Sequence, residues 1–180
     1  MILLINIARE KLHYLEFVKP IEDILNKNNI KFNTKYYKKI VDKDLKADKI
    51  IICGTSLIDN DFLKNLDYFK WLKVYQKPIL GICGGMQILC LFYKGELIKN
   101  KEIGEIEIDF KKEFLGKNKK QKVYALHNNS VVSSEFDIFA KSKYPQGVIH
   151  KTKPIYGVLF HPEVRNKEII IEFTKRALLP

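Results

Sequence analysis

The run Pro78-Ile79-Leu80-Gly81-Ile82-Cys83-Gly84-Gly85-Met86-Gln87 constrains this chain more than any other segment. An apolar stretch of strand length breaks abruptly into two glycines. Beyond them Ile88, Leu89, Leu91 and Phe92 continue as a helix until Gly95 supplies a C-terminal cap. A short strand that is apolar on both faces belongs in a parallel sheet covered by helices. A tight strand-to-helix turn lifts its residue to the edge of that sheet, where the helix N-terminus favours a thiolate. Cys83 is therefore expected to be an exposed nucleophile.

The rest of the first half alternates in the same way. Residues 2–7 read as a strand, and Tyr14, Leu15, Val18, Ile21, Ile24 and Leu25 recur at helical spacing up to Lys27, where Asn28-Asn29 ends the helix. Strands are expected at 31–37, 49–53 and 78–82, with a helix over 62–72 beginning after Asn60. Past Gly95 the pattern changes to shorter strands at 96–98, 105–110, 122–126, 136–141 and 146–150. A buried strand at 155–160 and a last helix at about 166–177 close the chain. The order gives an α/β fold: a mostly parallel sheet with helices on both faces and an added antiparallel strand region. No repeat or linker divides the 180 residues, so one domain over 1–180 is expected.

Composition narrows the function classes. A hydrophobic fraction of 46% supports a globular core, and no stretch approaches the roughly 20 uninterrupted apolar residues of a membrane span. The chain opens on a strand instead of a charged leader, which points to the cytoplasm and away from a membrane. The net charge of +11 invites a nucleic-acid reading, but only Arg9, Arg165 and Arg176 are arginines. Bidentate phosphate and base recognition leans on arginine, and scattered lysines fit a solvated surface, so no nucleic-acid partner is expected and an acidic protein surface is the next candidate. Cys53, Cys83 and Cys90 are too few and too unevenly spaced for a disulfide framework or a zinc site; Cys53 and Cys90 sit among apolar neighbours and belong to the core. No metal and no cofactor are expected. His13, His127 and His150 lack a partner at metal-ligand spacing and read as solvated or satisfied, with His127 the candidate to line a pocket.

One histidine stands apart. The strand-like Ile155-Tyr156-Gly157-Val158-Leu159-Phe160 ends in His161-Pro162-Glu163, a base and a carboxylate two residues apart. Cys83 at the end of one strand and His161 with Glu163 at the end of another make a nucleophile, base and orienting-acid triad. No phosphate-binding glycine loop with Lys-Ser/Thr is present, so any ATP chemistry lies on another polypeptide.

The elbow from Gly81 to Gln87 together with Gly157-Val158-Leu159-Phe160-His161-Pro162-Glu163 resembles the class I (triad) glutamine amidotransferases, over nearly the whole chain. Within them, Lys151-Thr152-Lys153-Pro154-Ile155-Tyr156-Gly157-Val158 ahead of His161 looks most like the separate glutaminase subunit of archaeal-type GMP synthases. The resemblance implies a flavodoxin-like order and hydrolysis of L-glutamine to glutamate and ammonia through a γ-glutamyl thioester on Cys83. It further implies ammonia delivery to a separate ATP-dependent synthetase subunit of the ATP pyrophosphatase type, and an oxyanion hole from the Gly84 N–H plus the loop after the third strand. That loop is usually Gly-Gly-Pro in the family and is Gly54-Thr55-Ser56 here, which raises the question of a strained backbone angle at Thr55. Gln87 matches a position that helps hold glutamine. Leu126-His127-Asn128-Asn129-Ser130 resembles the family's Ser-His-X-Asp segment, which makes Asn128, Asn129 and Ser130 substrate-site candidates, with Leu126 and Asn129 replacing the serine and the acid. Two other readings stay open: a stand-alone γ-glutamyl hydrolase with the same triad, and a degenerate, non-catalytic protein of regulatory or binding role, which Thr55 and Asn129 keep in play.

Overall fold

The computed structural model describes residues 1–177. Nine strands form one sheet: β1 (Ile2–Asn6), β2 (Phe32–Tyr36), β3 (Lys49–Ile52), β4 (Ile79–Ile82), β5 (Glu96–Phe114), β6 (Lys117–Val132), β7 (Phe136–Lys141), β8 (Pro145–His150) and β9 (Ile155–Val158). Their spatial order is β2-β1-β3-β4-β9-β8-β7-β5-β6. The first five in that order pair in parallel, and the four pairings from β9 outward are antiparallel. The antiparallel region is thus as extensive as the parallel one and continues the same sheet.

The parallel strands are buried on both faces, and the period-2 alternation divides them between two cores. Leu4, Ile51, Leu80, Ile82 and Val158 pack with Ile21, Leu25, Ile169 and Phe173 on one side. Leu3, Ile5, Ile50, Ile52 and Ile79 pack with Phe69, Leu72, Met86 and Leu89 on the other. Burying a side chain of this size contributes on the order of 1.5–3 kcal/mol, which is why so short a set of strands holds its register. The helices on these faces are α1 (Lys11–His13), α2 (Lys19–Lys27), α3 (Gly84–Phe92) and α4 (Glu168–Lys175). Among the described residues no helix is long and apolar enough to cross a membrane.

Three segments differ from expectation for local reasons. The helix leading to Lys27 is interrupted by a π-helical stretch, Tyr14–Val18, just ahead of Pro20. A continuous α-helix would set the proline ring against the carbonyl four residues back, and the wider turn relieves that clash. The α-helix expected over 62–72 is instead two 3₁₀ segments, Asp61–Lys64 and Leu66–Lys73. Asn65 breaks them: its side-chain amide takes the Asp61 carbonyl at 2.7 Å, the acceptor its own N–H would use in an α-helix, and that N–H turns to Phe62. The short strands expected at 96–98, 105–110 and 122–126 merge into the long β5–β6 ribbon. The polar residues between them face water along an antiparallel pair, with a register shift between Lys99 and Glu102.

Candidate active site

β4 and β9 are neighbours, so the residues that follow them emerge side by side at the carboxyl end of the sheet, where open α/β sheets place their sites. The Cys83 N–H donates to the Val158 carbonyl at 2.8 Å, and the backbone then turns at φ 49°, ψ −105° into α3. A left-handed backbone angle at a non-glycine residue is strained, and its location at a strand-to-helix elbow marks a built site. The glycines permit the turn by close approach. A Cβ on Gly81 would stand 2.5 Å from the Gly85 backbone, and one on Gly85 would stand 2.3 Å from the Ile52 carbonyl oxygen.

His161 is fully buried and donates from Nδ1 to Glu163 Oε1 at 2.7 Å, which fixes the tautomer and leaves Nε2 for chemistry. Its N–H is held by the Tyr124 carbonyl of β6, and the ring of Phe17, from the π-helical stretch, lies 5.2 Å away. Gly54 closes the other side: a Cβ there would fall 2.8 Å from His161 Cε1 and 3.4 Å from Cys83 Cβ. Burial opposes a charge on the imidazole, but the Glu163 carboxylate and the Cys83 sulfur outweigh it and raise the pKa well above the usual histidine range. Nε2 nevertheless lacks a well-directed hydrogen bond among the described residues, and the Cys83 Sγ donates to the Leu126 carbonyl at 3.5 Å. The two groups therefore interact through charge more than through a formed hydrogen bond.

Cys83 is not exposed as expected. Only 5% of its surface is accessible, and the Leu126 carbonyl of β6 meets its sulfur. The sulfur instead borders a cleft of about 270 Å³, counting the space at its mouth, whose wall includes Gly84, Gln87, Thr55, His127, Asn128 and Asn129. Gln87 is buried and donates to the Asn129 carbonyl at 2.9 Å, and Asn128 donates to the Leu57 carbonyl at 3.1 Å across the cleft. Ser130 does not line the cleft; it is fully buried. Thr55 is buried with its φ outside the left-handed region, so its backbone carries no strain. Gly84 is the first residue of α3, where backbone N–H groups lack an intrahelical acceptor.

Cys53 and Cys90 are core residues, and burial raises both thiols, Cys90 to about 12 and Cys53 well beyond its usual value. His13 and His150 are buried and satisfied, bonded to Asp59 and to the Thr152 N–H. His127 lines the cleft as expected, with Nδ1 on the Asn100 carbonyl at 3.2 Å and Nε2 3.1 Å from Glu102 Oε2; burial keeps its pKa low despite Glu102. Asp59, Glu102 and Gln146, whose side chain donates to Glu102, were not foreseeable. Asp59 and Glu102 lie among polar neighbours that look solvated in the sequence, Gln146 opens an expected strand, and only the fold turns the three inward.

The family model for glutamine amidotransferase class-I matches residues 13–179. The chain belongs to that family. Among curated relatives of this amidotransferase, a subunit of the glutamine-hydrolyzing GMP synthase of Thermoplasma acidophilum is 30% identical over 146 residues, covering 72% of this chain and 73% of that protein. The corresponding subunit from Methanocaldococcus jannaschii is 40% identical over 108 residues, 54% and 57% of the two chains. A crystal structure of a candidate GMP synthase subunit from Thermoplasma acidophilum superposes with a TM-score of 0.83 at 24% identity, covering 96% of this chain and 90% of that one. A Thermotoga maritima glutamine amidotransferase follows at 0.71 and 19% identity, over 93% and 77%. These likenesses bear out the α/β amidotransferase fold.

Proposed function

We propose that this amidotransferase hydrolyses L-glutamine through Cys83, His161 and Glu163 and delivers the ammonia to a separate ATP-pyrophosphatase-type subunit of a GMP synthase. The observation that carries the reading is the strained Cys83 elbow just after β4 beside a buried His161–Glu163 pair that follows the adjacent β9.

The Cys83 thiol exchanges its contact with Leu126 for His161 Nε2 and passes its proton there. The thiolate attacks the side-chain amide carbon, and the carbonyl oxygen gains negative charge opposite the N–H groups of Gly84 and Thr55. The positive end of α3 adds to their effect. The imidazolium, held charged by Glu163, gives its proton to the departing nitrogen, so ammonia leaves and a γ-glutamyl thioester remains. Water activated by the same nitrogen cleaves the thioester and restores the thiol. Gln87 sets the Asn129 carbonyl, and Asn128 spans to the loop after β3, so hydrogen bonds hold the walls of the cleft. The unstrained Thr55 and the formed Nδ1–carboxylate bond favour catalysis over a purely regulatory role.

The partnership is tested by combining the chain with an archaeal-type ATP pyrophosphatase subunit, XMP and ATP. Glutamine should support GMP formation with the wild-type chain and fail with Cys83→Ala, while ammonium salts bypass the substitution. GMP formation from ammonium but not from glutamine with the wild-type chain contradicts the proposal.

A further inference from the structure

The tip of the loop after β3 reverses the usual sorting of side chains. Ile58 is 85% exposed and Asn60 is exposed, while the carboxylate between them, Asp59, is 6% exposed. One of its oxygens, Oδ2, gathers three donors from separate places: the Arg9 N–H at 2.7 Å, His13 Nδ1 at 3.1 Å and Thr55 Oγ1 at 3.2 Å. The Asp59 N–H closes the turn on the Ser56 carbonyl at 3.3 Å, and the Ser56 hydroxyl lies 3.3 Å from His13 Nδ1. Asp59 itself does not line the cleft, whereas Thr55 and Ser56 do.

Resting on the glutaminase reading, we propose that Asp59 is a positioning residue for the oxyanion hole, acting through Thr55. Where a threonine stands in place of a flexible glycine, its hydroxyl gives the loop a handle, and the buried carboxylate holds that handle against the segment that follows β1. The Arg9 N–H bond, at 2.7 Å, falls in the range of charge-assisted bonds, and three donors converging on one oxygen limit the freedom of the loop. The Thr55 N–H is thereby aimed before substrate arrives, which is what charge stabilisation in a transition state requires.

The test measures glutamine hydrolysis together with the affinity of L-glutamate γ-semialdehyde. Cys83 adds to its aldehyde carbon and the thiol proton passes to the oxygen, giving a hemithioacetal whose oxygen occupies the oxyanion position. Losing a whole oxyanion donor lowers kcat by about 10²–10³-fold, so misaiming one should cost about 10-fold or more. Asp59→Ala should lower kcat by that factor with KM changed less than about two-fold, and weaken the aldehyde in parallel. Asp59→Asn, which keeps an acceptor in place, should restore most of the rate. Thr55→Val removes the hydroxyl at constant volume and should reproduce the loss even if Asp59→Ala folds poorly; adding Asp59→Ala to Thr55→Val should cost little more. Wild-type kcat in Thr55→Val, or an unchanged aldehyde affinity beside a lowered kcat, overturns the inference. Absence of glutaminase activity in the wild-type chain would instead strike the underlying reading.

Discussion

A buried imidazole ordinarily sheds its proton, so the raised pKa of His161 is the work of Glu163 first and Cys83 second, set against the penalty of burial. Glu163→Gln keeps the shape and removes the charge. It should lower kcat by about 10²–10⁴-fold, the range for a general acid–base group, and move the basic limb of the pH–rate profile to lower pH, because the imidazolium gives up its proton more easily. An unshifted basic limb, measured by glutamate release across pH, would show that Glu163 does not tune His161. At this scale the candidate triad was legible because Cys83 follows one strand beside glycine, and His161 and Glu163 flank a proline just past another. The burial of Cys83 was not: its sulfur meets the Leu126 carbonyl, 43 positions along the chain, on a strand whose path only the fold determines.

Elements carry the site because α3 packs hard against the sheet. Gly85 touches β3 so closely that a methyl would meet the Ile52 carbonyl oxygen at 2.3 Å, a backbone atom that cannot swing aside. Gly85→Ala should therefore destabilise the fold by about 1–3 kcal/mol, read from urea denaturation, and tilt the elbow with it. Wild-type stability in that variant would mean that α3 does not sit where the elbow requires. The parallel strands and α3 announced themselves through unbroken apolar runs. The π-helical and 3₁₀ stretches did not, because single residues, Pro20 and Asn65, overrule periodicity by redirecting one backbone bond each. The β5–β6 ribbon was underread for a different reason: its polar middle is stabilised by cross-strand pairing, which leaves no trace in a local pattern.

For the whole molecule, the sheet brings residues about 80 positions apart into one site and buries several titratable groups on the way. His150 is one of them, packed 4.6 Å from the Tyr93 ring and 5.0 Å from Phe136, its pKa lowered by burial and by Lys153. The unfolded chain protonates this imidazole near the ordinary value of 6.5 while the folded chain resists. Stability is then full above that value and falls as pH drops through it toward the folded pKa. His127 acts in the same sense, whereas the raised His161 contributes below its unfolded pKa and loses that contribution as pH rises through its folded one. Thermal unfolding between pH 7.5 and 5.5 should show a smaller loss of Tm in His150→Gln than in the wild-type chain; equal losses would remove His150 from the account. The central claim is that the elbow thiol hydrolyses glutamine, and the most direct measurement is glutamate release from L-glutamine by the purified chain beside Cys83→Ala. Release by the wild-type chain that disappears in the variant, with both proteins folded, is the expected result. Equal release by the two would contradict it.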